Sequence, residues 1–159
     1  MNKYLLILFP FFMFSQETEI QKYDVIKSIE NIEIRYYPPS MKAKVSSNRN
    51  FSKLFQYISG NNDKKEKIAM TAPVYMTQEN GKNTMEFVLP SKYSEENAAL
   101  PKDKNIEGYS SKPGYYAAIR FGGYSNIDKV NLNYKILLEK IKENNLSIIS
   151  KKPISLSYN

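Results

Sequence analysis

Three kinds of side chain in this sequence have types and spacing that suit chemistry. Glu33, two positions before Arg35, and Glu86, in an alternating stretch, are carboxylates of the kind that serve as general acid or base. No spacing brings a second carboxylate to the same substrate, so an acid–base pair is not expected. Arg35, Arg49 and Arg120 are guanidiniums, suited to a two-pronged grip on a carboxylate, although an intramolecular salt bridge is the expectation for each. The third group is tyrosine, with 13 phenols in 159 residues. His and Cys are absent altogether. That excludes Ser-His-Asp and Cys-His machinery, thiolate or imidazole zinc sites and disulfides. A carboxylate metal site stays open. Thr71, in Met70-Thr71-Ala72-Pro73, has no base to activate it, and Pro73 there is a backbone device at an edge or bulge. The balance is that of a binding protein, not an enzyme.

The elements that must position these residues follow from hydrophobic period. Residues 1–15 read as a secretory signal peptide: Asn2-Lys3 is the positive start, and residues 4–14 are an uncharged apolar run too short to span a bilayer. An uncleaved anchor is the alternative. Without a Cys after that run, a lipoprotein anchor is excluded. An exported protein, periplasmic or extracellular and with no stable membrane insertion after cleavage, is expected. The formal net charge of +7 is dispersed, as in Lys64-Lys65-Glu66-Lys67, so no nucleic-acid partner is expected.

Alternation predicts a hairpin from 23–26 and 32–36 and a strand at 41–45. From Asn50 the period becomes helical: Phe51, Leu54, Phe55 and Ile58 share one face, and Gly60 stops the helix. Strands follow at 68–77 and 84–89, then a long loop over 90–113 with one helical turn at 95–99. A strand at 115–121 leads through Gly122-Gly123 to a capping box at Ser125 to Asp128. Ile127, Val130, Tyr134, Leu137, Leu138 and Ile141 then form the buried stripe of a helix ending near Asn144-Asn145. Two short strands, at 146–149 and 154–158, close the chain. The expected class is α+β, one domain over residues 20–159, with two β-α-β-β halves.

KIAMTAPV at 67–74 resembles the signature of the SOUL heme-binding protein family. Collinear matches accompany it: YDVI at 23–26, IEIRYY at 32–37, FSKLFQYISGN at 51–61, FVLPSKY at 87–93 and AAIRFGG at 117–123. The resemblance implies a distorted, largely antiparallel β-barrel flanked by two helices. It implies a monomer that binds heme, or another planar apolar anion, non-covalently in an apolar cleft beside the first helix. On this chain that helix carries Phe51, Leu54, Phe55 and Ile58 as the cofactor-binding residues.

Two departures qualify that picture. Some members use an axial His, and here none exists, so a ferric high-spin centre with Tyr or water at the iron is expected. Tyr57, Tyr75 and Tyr115 are the positions to test, with Met70 and Met76 the less favoured donors. Family members also run beyond a Tyr-Asn pair like Tyr158-Asn159 into a further strand. Its absence would leave a sheet edge open. The alternative function is therefore a protein-interaction module of the same fold that has lost ligand binding.

Overall fold

The computed structural model describes residues 18–79, 81–150 and 152–158. The predicted signal peptide lies outside them. The elements run β1 (Glu19–Ile20), β2 (Asp24–Ile29), β3 (Ile32–Tyr37), β4 (Met41–Ser46), α1 (Asn50–Ile58), β5 (Thr71–Ala72) and β6 (Val74–Glu79). Then come β7 (Lys82–Val88), β8 (Ile106–Ser110), β9 (Gly114–Ile119), α2 (Ile127–Glu143) and β10 (Ser155–Ser157). The class is α+β, as expected. The strands form a five-stranded sheet in the order β10-β6-β7-β4-β8, a three-stranded sheet β2-β3-β9, and a short parallel pair β1-β5. Both larger sheets are antiparallel. No ladder closes them into a barrel among the described residues.

The period-two pattern decides what each sheet buries. On one face of the five-stranded sheet, Ala43, Val45, Phe87 and Ile106 join Leu54, Tyr57 and Ile58 of α1 in the hydrophobic core. The other face carries Lys42, Tyr75, Glu86 and Tyr109, which the register sets side by side. In the three-stranded sheet Arg35 pairs with Tyr116, and the fully buried Ile32 sits on the opposite face. Helix α2 packs against β9.

Both helices end alike. At α1 the Gly60 N–H bonds to the Tyr57 carbonyl and the Asn61 N–H to that of Gln56, with Gly60 at φ 111°. At α2 Asn145, at φ 53°, bonds to Lys142, and Leu146 to Ile141. Each is a Schellman closure around a left-handed residue. Leu146 is thus a cap, and the strand expected at 146–149 does not form; Ile149 is fully exposed. The second half reads β-α-β. Pro73 divides the expected 68–77 strand into β5 and β6, through a cis peptide after Ala72. Conversely, β8 forms inside the segment expected to be a loop. It buries only Ile106, so it carries no alternation to read. The helical turn at 95–99 is present, closed by the Ala98 N–H on the Ser94 carbonyl at 2.9 Å. The start of α2 is capped by Asn126, whose side chain accepts from the Lys129 N–H at 2.8 Å, one residue later than the predicted box.

Candidate functional site

The four residues predicted on α1 divide into two pairs. Leu54 and Ile58 are buried, and they hold the helix on β4 and β7. Phe51 and Phe55 are 52% and 50% exposed. They stack with ring centroids 5.8 Å apart, and Phe87 meets Phe51 edge-on at 5.7 Å. The spacing i, i+4 puts the two rings one turn apart. The buried ring of Phe87, in β7, anchors the Phe51 end of the pair. The result is a stacked aromatic pair, half open to solvent, on a helix whose Leu54, Tyr57 and Ile58 are buried. Lys53 beside it is engaged with Asp103 at 2.7 Å.

The other predicted groups are placed elsewhere. Arg35 is buried in an ion pair with Glu33 at 2.7 Å, over the ring of Tyr23 at 4.4 Å, so it serves the fold. Arg49 is exposed, immediately before α1, and Arg120 is exposed after β9. Tyr57 points into the core and donates to the Ala99 carbonyl at 2.8 Å. Tyr75 is buried and donates to Gln21 Oε1 at 2.6 Å. Burial pushes the Tyr57 phenol up to about 12 and raises that of Tyr75 further, which disfavours the phenolate an iron would need. Tyr115 is exposed but belongs to β9, paired with Tyr36. None of the three stands at the Phe51–Phe55 surface. Met70 packs against the core, and Met76 lies in β6. Among the described residues no cluster of acidic side chains could hold a metal ion.

Two clefts lie away from the Phe51–Phe55 surface. One, of about 310 Å³, lies under the 95–101 segment against Met41 and Gly108. The second, of about 260 Å³, opens between the two sheets and includes Lys42, Tyr75, Glu86, Tyr109 and Tyr116. Lys42 Nζ is 3.2 Å from Glu86 Oε2 and 3.3 Å above the Tyr75 ring. Tyr109 donates to the same Oε2 at 2.8 Å. Burial lowers the pKa of Lys42, and the carboxylate of Glu86 opposes that shift. Of this group the sequence singled out Glu86, as an unpaired acid, and Tyr75, as a candidate iron ligand, but not their proximity. Lys42 and Lys44 alternate in MKAKV like residues of a solvated face, and the excess of tyrosine was the one signal of a polar interior.

Pockets that enclose drug-sized molecules run to roughly 300–1,000 Å³, and a tetrapyrrole is larger than most such ligands. Neither cleft encloses one. The half-exposed rings of Phe51 and Phe55 instead offer apolar area of the kind that a flat ring would cover from outside. No curated protein matches this chain. The SOUL heme-binding protein family matches over residues 18–159, which take in all ten strands, both helices and this surface. The chain belongs to the SOUL heme-binding protein family.

Proposed function

We propose that this protein binds heme or a related tetrapyrrole on the face of α1, held non-covalently and without a His ligand. The observation that carries the reading is the Phe51–Phe55 pair: two large rings half exposed and stacked, where burial of both would be the ordinary outcome. At about 25 cal/mol per Å² of apolar area, covering one face of the ring supports micromolar binding with no bond to iron. Arg49, exposed at the start of the helix, is placed in sequence to meet a propionate. The expected ferric state is high-spin with water as the ligand, since Tyr57, Tyr75 and Tyr115 are committed elsewhere. In this reading the protein is a monomeric, exported carrier or buffer and not an enzyme. The barrel that the resemblance implies would be made by the two sheets together, each of which mixes strands from both halves of the chain.

A hemin titration of the purified protein tests this. We expect a saturable Soret change at micromolar hemin, lost in the Phe51→Ala/Phe55→Ala variant with the circular dichroism unchanged. Absence of saturation, or full binding by the double variant, sinks the proposal. The second reading, an interaction module, is favoured by one observation: β8 and β10 leave both edges of the five-stranded sheet open among the described residues. Clear hemin binding with no partner recovered from the exported fraction counts against it.

A further inference from the structure

The cleft between the sheets is built differently from the aromatic face of α1. At about 260 Å³ it is smaller than the pockets of drug-sized ligands, so it admits one ring and its substituent but not a tetrapyrrole. Tyr75 and Tyr109 line it from the five-stranded sheet, and Tyr116 lines it from β9. Three aromatic rings from two sheets offer faces and edges to a flat molecule.

Charge narrows the choice further. Lys42, nine-tenths buried, and Glu86 compensate each other inside the cleft, and Tyr109 completes the shell of Oε2. The charge left over is that of Lys112, which lines the cleft, is exposed, and joins none of the ion pairs among the described residues. A cation entering the cleft would meet the Lys42 ammonium, already seated over Tyr75. An anion would meet the Glu86 carboxylate in the same lining, but that charge is already held by Lys42 and Tyr109, whereas Lys112 offers an uncommitted partner. The geometry points to a second ligand site, in which a one-ring aromatic carboxylate lies between the sheets against Tyr75, Tyr109 and Tyr116 with its carboxylate at Lys112.

The test is an NMR titration of the whole isotope-labelled chain with benzoate, and with benzylamine as the cation of similar shape. Benzoate is expected to shift the amides of Tyr75, Tyr109 and Tyr116 saturably, with Kd on the order of 1 mM. Benzylamine should bind at least about 5-fold more weakly, and Lys112→Glu should weaken benzoate by a similar factor. Lys112 is exposed, so that variant keeps the fold. The Phe51→Ala/Phe55→Ala variant should bind benzoate as the parent does. No shifts at tens of millimolar benzoate would mean that the cleft holds only water. Equal binding of benzylamine, or an unchanged Kd in Lys112→Glu, would overturn the charge argument. Loss of benzoate binding in the phenylalanine variant would move the site to α1.

Discussion

An ammonium group held over a tyrosine ring and almost out of water needs its counter-charge fixed. Lys42 and Glu86 have side chains only 8% and 13% exposed, and Glu86 is further anchored by Tyr109. Removing one member leaves the other buried and uncompensated, whereas replacing both removes the desolvation cost with the attraction. Lys42→Ala should therefore destabilise the protein by about 3–5 kcal/mol, while Lys42→Met/Glu86→Leu should come within ~1 kcal/mol of the parent or exceed it. Urea unfolding of the two variants measures the contrast; equal losses would show that the pair is not a unit. At this scale the sequence was legible where a residue obeys its element's period, as at Leu54 and Ile58. It was not legible for Lys42, because MKAKV has the alternation of a strand with one wet face. Only the packing of the second sheet, whose Tyr116 comes from the distant β9, turns that face inward. Phe51 and Phe55 had the period of core residues, and their half exposure depends on what the rest of the chain leaves uncovered.

Most elements were legible in proportion to the burial that shapes them. Helix α1 and β3 carry apolar periods that pack inward and form where predicted, while β2 forms on β3 with all but Ile29 of its residues exposed. β8 buries a single side chain, and its pairing with β4 comes from backbone hydrogen bonds that leave no mark in residue type. At the end of α2, Leu146 looked like the start of a strand because a Schellman closure also wants an apolar residue there. The other end of α2 yields a test. Ser125 and Asn126 are both good caps by type, and the side chain that accepts the Lys129 N–H is that of Asn126. Asn126→Ala should cost about 1 kcal/mol in urea unfolding, and Ser125→Ala less than ~0.5 kcal/mol. The helix buries only Ile141 fully, so little packing is available to mask the loss. A reversed order of the two variants would place the cap at Ser125 after all.

The whole molecule puts apolar sheet surface beneath α1 and tyrosine, lysine and arginine between the sheets, which gives its stability a characteristic pH profile. The chain has no His, so no side chain has an ordinary pKa close to neutrality. The phenols titrate late. Burial first, and then neighbouring phenols or carboxylates, raise Tyr57 and Tyr158 to about 12 and lift Tyr75 and Tyr109 further above their ordinary 10.0. A raised phenol keeps its proton in the folded state while the unfolded chain loses it near 10. Its contribution is therefore complete below pH 10 and is lost as pH climbs through the folded value. Lys42 acts the other way. Burial lowers its pKa, so the unfolded chain binds the extra proton and stability gains as pH approaches 10.5. One lysine opposes these four phenols and that of Tyr93, which burial also raises, and the phenols prevail. The urea midpoint should stay level between roughly pH 6 and 8 and fall steeply from about 10 to 12, in step with the appearance of tyrosinate absorbance. Tyr75→Phe and Tyr109→Phe should each flatten that fall, because a residue that cannot ionise no longer couples folding to the proton. A midpoint that stays level to pH 12, or falls as steeply in both variants, would show that the tyrosines between the sheets ionise without unfolding the protein.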